Sequence, residues 1–173
     1  MRSLETLKID LKDLKDGVTT LEYDLDNSYF EYIEAPEVRK GNVHVVISVN
    51  KLSDYFELEF HTEGTVMIPC DICLDDMEQP ISTDNRLVAR FGEENSDDDD
   101  VVTVDENEGM LDTAWLIYEF IALAIPIKHV HAPGKCNPAM IQALEEHSAD
   151  RSSDEESDQA VDPRWEKLKN LKI

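Results

Sequence analysis

The first half of the chain alternates between apolar and polar positions. In "LKIDLKDL", Leu7, Ile9 and Leu11 fall on one side, and in "VTTLEYDLD", Leu21, Tyr23 and Leu25 do the same. Asp16-Gly17 separates the two runs, so a hairpin-like strand pair is predicted. "GNVHVVISVNK" aligns Val43, Val45, Ile47 and Val49. "YFELEFHTEGTVMIP" aligns Phe56, Leu58, Phe60, Val66 and Ile68, with a turn before it near Leu52-Ser53-Asp54. "ISTDNRLVARFG" aligns Leu87, Ala89 and Phe91. A period of two puts each set on one face of a strand, and the β-branched and aromatic content suits a pleated surface. The expected core is therefore an antiparallel meander of five or six strands, open or barrel-like. "NSYFEYIE", inside this region, fits either a short helix or an aromatic plug.

The period then changes. In "MLDTAWLIYEFIALAIPI", Leu111, Trp115, Tyr118, Ala122 and Ile125 recur at helical spacing, with Asp112 or Thr113 placed to cap and Pro126 to stop the helix. "PAMIQALEEH" predicts a second helix, with Asn137 as N-cap and Pro138 at the first helical position. "DPRWEKLKNLKI" spaces Trp165, Leu168 and Leu171 three apart and predicts a short docked helix. Strands first and helices later indicate an α+β domain.

Charge divides the chain. Of a net −23, residues 93–108 carry nine acids and no base, and residues 145–162 carry −7, which leaves −7 for the rest. Such runs repel themselves and bury little, so residues 93–108 and 148–160 are expected to be disordered. The layout that follows is one domain over residues 1–147, an acidic linker over 148–161 and a basic segment over 162–173. Met1-Arg2-Ser3 leads straight into "LETLKIDLKDL" without an apolar signal segment. The longest apolar stretch, "AWLIYEFIALAIPI", is broken by Glu119 and too short to span a bilayer. A cytoplasmic protein with reduced thiols and no membrane contact is expected.

Three cysteines carry the candidate chemistry. "PCDIC" places Cys70 and Cys73 two residues apart at the end of a strand pattern. The loop "PIKHVHAPGKCNP" adds Cys136 and two imidazoles, His129 and His131. Cys70, Cys73, His131 and Cys136 form a C-x2-C…H-x4-C set of soft donors suited to zinc, with His129 as the competing imidazole. Inert buried thiols are an alternative. A redox pair is a further one, but "LDDMEQP" is too short and acidic to supply the helix N-terminus that would activate Cys70. His44 and His61 lie in strand patterns and read as structural. His147 borders the acidic tail.

At these residues the chain resembles the YceD-like proteins, the large ribosomal RNA subunit accumulation family of bacteria and plastids. The resemblance rests on "IPCDICLDDM", on "EGMLDTAWLIYEFIALAIPIKHVH" and on the ending "DPRWEKLKNLK". Many members of that family carry a second C-x-x-C where this chain has His131 and Cys136. The family pattern Pro-x-x-x-x-His…Cys maps onto Pro126, His131 and Cys136, which favours His131 over His129.

The resemblance implies a role in accumulation of the large-subunit (23S) ribosomal RNA, hence ribosome biogenesis, and no enzymatic activity. The residues agree in offering no Ser-His-Asp set, Gly-rich phosphate loop or carboxylate pair in an apolar setting, and no small-molecule substrate is expected. A zinc hydrolase is the catalytic alternative, but four donors with three thiolates close the coordination and oppose a zinc-bound hydroxide. A zinc-stabilised acidic adaptor with no ribosomal role is the other. With 16 basic residues against 39 acidic ones, naked RNA should be bound weakly. The expected partner is a pre-large-subunit particle, met through a basic ribosomal protein. The candidate docking element is the basic ending, with Arg164, Trp165, Lys167, Leu168, Lys169, Leu171 and Lys172.

Overall fold

The computed structural model describes residues 4–34, 37–92, 98 and 100–148. It is an α+β fold with an open five-stranded sheet and a separate two-stranded one. A 3-10 turn (Leu4–Leu7) leads to β1 (Lys8–Asp10), followed by β2 (Gly17–Leu25), α1 (Asn27–Ile33), β3 (Lys40–Lys51), β4 (Phe56–Pro69) and β5 (Asp76–Phe91). Then come β6 (Val101–Val104), β7 (Met110–Asp112), α2 (Ala114–Ala124) and α3 (Pro138–His147). The larger sheet has the order β2-β3-β4-β5-β6.

The alternation read from the sequence sets its inner face. Val43, Val45, Ile47 and Val49 of β3 and Leu58, Phe60 and Val66 of β4 are almost wholly buried. Burying each of these side chains contributes about 1.5–3 kcal/mol. The β3–β4 turn forms where expected, closed by the Leu52 N–H on the Tyr55 carbonyl at 2.9 Å.

"NSYFEYIE" resolves into a helix that also plugs the core. Asp26 caps α1 by accepting from the Ser28 N–H at 2.9 Å, and Glu34 ends it in the left-handed region at φ 52°. Tyr29 and Phe30 are buried. A Cβ on Gly41 of β3 would stand 2.8 Å from the Phe30 ring, so glycine there lets α1 sit close to the sheet.

Helix α2 lies against the same inner face and stacks Phe120 edge-on to Phe60 at 5.1 Å. Its buried stripe is Ala114, Ile117, Tyr118 and Ile121. Trp115, expected on that stripe, is exposed and donates to Glu119 at 2.8 Å. Thr113, the N-cap residue, gives its hydroxyl to the Leu7 carbonyl at 2.6 Å and makes no side-chain cap bond. Capping of the first turn falls to Asp112, which accepts from the Ala114 N–H at 2.9 Å.

Three expectations change. Leu7, Ile9 and Leu11 are buried together, but β1 does not pair with β2. It pairs antiparallel with β7, Ile9 opposite Leu111. Asp10 accepts from the Lys12 N–H at 2.9 Å and turns the chain, so β1 ends after three residues and the hairpin with β2 does not form. Second, the acidic window 93–108 is not wholly irregular. "VVTV" forms β6 with Val104 buried, and Asp105 holds the turn that follows by accepting from the Asn107 N–H at 2.6 Å. Four apolar or β-branched residues were masked by the acids flanking them. Third, β6 runs parallel to β5, Val88 opposite Val101, so the antiparallel meander ends in a parallel strand. The rest of that window, residues 93–97 and 99, lies outside the described residues, as does most of the acidic linker.

Candidate metal centre

The site lies where the β4–β5 hairpin turns. Cys70 follows the last residue of β4, and the chain reverses over Asp71–Asp75. The Cys70 N–H donates to the Asp75 carbonyl and the Leu74 N–H to the Cys70 carbonyl, both at 2.9 Å. Leu74 adopts φ 62°, a left-handed conformation that side chains other than glycine rarely take. This tight knuckle turns both thiols inward: Cys70 is 0% and Cys73 1% exposed. The Ile72 N–H points at the Cys70 sulfur at 3.5 Å.

The second half comes from the loop between α2 and α3. Pro126 follows the end of α2, and Gly134 at φ 78° lets the loop reverse, closed by the Lys135 N–H on the Ala132 carbonyl at 3.0 Å. Cys136 precedes Asn137, whose side chain caps α3 by accepting from the Ala139 N–H at 3.1 Å. The loop returns to the knuckle at two points. Asn137 donates to Asp75 at 3.1 Å, and Asp71 and His129 exchange backbone and side-chain bonds.

Cys70, Cys73, His131 and Cys136 come together there, their donor atoms all within 4.8 Å of one another. The Cys70 and Cys136 sulfurs are 3.9 Å apart, and the Cys73 sulfur is 3.3 Å from His131 Nδ1. A sulfur pair at that distance is far too long for a disulfide. It is close to the edge of a tetrahedron around zinc, about 3.8 Å for Zn–S bonds of about 2.3 Å. The residues present fit a four-coordinate soft dication.

The electrostatics agree with the geometry. Burial pushes the Cys70 thiol up, but N–H groups of Cys73, His131 and Ile72 aimed at its sulfur outweigh that and bring it down to about 6. Cys136 is pushed up to about 11 by burial and by hydrogen bonding and charge from Cys70 and Cys73. Charge from the neighbouring thiols is part of what holds Cys136 up, and a central cation would relieve that repulsion.

His129 lies outside this set. Its Nδ1 is 3.0 Å from the Pro126 carbonyl and its Nε2 3.3 Å from Asp71. His44 and His61 lie on β3 and β4 beside Asp24 and Asp84, at 2.8 and 2.7 Å. His147 ends α3, exposed. The residues that sequence reasoning missed are Asp71 and Asp75, the anchors between knuckle and loop. Their partners lie 58 and 62 residues away in the chain, so no local pattern pointed to them. The candidate docking residues Arg164, Trp165, Lys167, Leu168, Lys169, Leu171 and Lys172 lie outside the described residues.

An open sheet whose hairpin knuckle carries two cysteines and meets a third and a histidine from the interhelical loop defines a small α+β protein with a soft-metal donor cluster. No helix among the described residues is long and apolar enough to cross a membrane. The family described as "Large ribosomal RNA subunit accumulation protein YceD" matches residues 58–172, about two thirds of the chain, and the chain belongs to that family. The match contains the whole donor cluster and runs into the basic ending. No curated protein and no solved structure matches the chain.

Proposed function

We propose that this protein is a non-enzymatic, cytoplasmic ribosome-biogenesis factor that promotes accumulation of large-subunit (23S) ribosomal RNA. The observation that carries the reading is the family match over residues 58–172, whose description names that accumulation. In this reading zinc is held by Cys70, Cys73, His131 and Cys136 and ties the hairpin to the interhelical loop. Four protein donors leave a tetrahedral ion no open position for substrate, so the metal's work is structural.

The partner is a basic ribosomal protein on a pre-large-subunit particle rather than bare RNA, a membrane or a small molecule. Support comes from the net charge of −23, which repels phosphate and attracts basic chains. The basic ending over residues 162–173 is the proposed docking element.

Depletion followed by measurement of the two ribosomal RNAs is the test, together with cosedimentation of the tagged protein on gradients. The expected result is less large-subunit RNA relative to small, with the protein in large-subunit precursor fractions. A normal ratio and no cosedimentation would replace this reading with that of an acidic adaptor.

A further inference from the structure

The larger sheet ends on one side at β2, nine residues long and unpaired along its outer edge among the described residues. Such an edge offers a row of free N–H and C=O groups. The core also runs out there uncovered. Val45 and Ile47 of β3 are fully buried, whereas their register partners on β2, Tyr23 and Leu21, are only half-buried. A groove of about 380 Å³ lies at the C-terminal half of this strand. Leu4 and Leu7 of the 3-10 turn and Tyr29 of α1 line it and no residue of β3 does, which places it on the side of β2 away from β3. Tyr23 and Leu25 line it together with Glu22 and Asp24.

We infer that the outer edge of β2 takes up an extended, basic segment of a partner protein as an additional strand. Each feature selects part of the ligand. The free edge selects an extended backbone. Side chains of an added strand that fall beside Tyr23 and Leu25 meet the groove, and one beside Leu21 meets a half-buried leucine, so these should be apolar. Those that fall beside Glu22 and Asp24 meet carboxylates and should be lysine or arginine, because side chains on adjacent strands interact directly. The segment therefore alternates basic and apolar residues. A second copy of this chain is disfavoured, since pairing β2 with β2 would bring Glu22 and Asp24 against their own kind. The inference rests on the ribosomal reading for the source of such a segment; the chemistry of the segment follows from the edge and groove.

The test uses the full-length protein and a synthetic peptide of alternating lysine and valine as long as β2. A control peptide has the same composition with its lysines and valines in two blocks. Affinity is read by fluorescence anisotropy and location by amide exchange. The alternating peptide should bind more tightly than the block peptide and should slow exchange within residues 17–25. Glu22→Lys with Asp24→Lys should weaken it about tenfold or more, as like charges face one another, while an unchanged melting temperature shows the fold intact. Equal affinity for both peptides, protection elsewhere, or affinity unmoved by the two substitutions overturns the inference. Cosedimentation of the unaltered protein with large-subunit precursors is measured alongside. Its failure sinks the ribosomal reading and leaves the edge to be judged by the peptides alone.

Discussion

Asp71 holds His129 at three points. The Asp71 N–H donates to the His129 carbonyl at 3.0 Å, its carboxylate accepts from the His129 N–H at 2.8 Å, and the same carboxylate lies 3.3 Å from Nε2. One imidazole is thereby committed to fastening the loop, and the other, His131, is left facing Cys73. Two histidines two residues apart thus have different tasks, because an aspartate between the cysteines reaches only one of them.

That division gives a first prediction. Protein purified without chelator should contain one zinc per chain by elemental analysis. His131→Ala should lose metal affinity outright. His129→Ala and Asp71→Ala act on the support of the site and should cost about 10–100-fold, the range for residues that orient ligands. Competition with a chromogenic chelator ranks the three. A larger loss from His129→Ala than from His131→Ala would reassign the ligand.

Tyr29 joins α1 to α2. Its buried hydroxyl donates to the Ala114 carbonyl at 2.7 Å, and burial holds its ionisation far above the usual phenol range. Tyr29→Phe removes this donor, while the Ala114 carbonyl, at the first residue of α2, remains an acceptor for the helix itself. A loss of about 0.5–1.5 kcal/mol is expected in urea unfolding, with little change in the slope. No loss would mean that the bond between α1 and α2 contributes nothing to stability.

Gly64 of β4 lies opposite Val43 of β3. Its φ is +155°, and a Cβ there would stand 2.7 Å from Val43 Cα, with the Asn42 carbonyl also in its path. The obstruction is backbone and cannot rotate away. Gly64→Ala should destabilise by more than about 3 kcal/mol, or leave no soluble fold. Wild-type stability in the purified variant would show that the strands can part without cost.

Asp105 confers acid sensitivity on one corner. Hydrogen bonds from the N–H groups of Asn107 and Glu108 hold its carboxyl below the usual carboxylate range. A depressed carboxyl contributes stability that is present above the unfolded value of about 3.9 and is lost as pH falls through the folded one. The turn it holds sets Gly109, whose carbonyl accepts from the Leu11 N–H at 2.9 Å, and so aligns β7 with β1. Amide protection at residues 107–112 should therefore fall on acidification before that of β3 and β4. In Asp105→Asn this difference should shrink; protection that tracks the central strands in both proteins would remove the role.

Local pattern was enough to read the faces of the strands. Val43 to Val49, Phe56 to Phe60 and Leu87 to Ala89 are buried on alternate positions because a period of two leaves a strand no other way to cover them. Asn137 and Pro138 marked the start of α3 for an equally local reason, the geometry of one helical turn. The donor types of Cys70, Cys73, His131 and Cys136 were legible too, since ligand chemistry belongs to side chains and not to folds. Pairing was a different matter. Ile9 meets Leu111 across most of the chain, and nothing near Ile9 indicates it. "VVTV" became a strand only because β5 offered it an edge, against the repulsion of the acids around it. The two halves of the donor set meet because α2, packed on β4 and β5, brings its far end to the hairpin knuckle, where Asp71 and Asp75 hold the loop. Propensity and periodicity act over a few residues. Which strand pairs with which, and which histidine faces the sulfurs, is set by how the whole apolar face is covered at once.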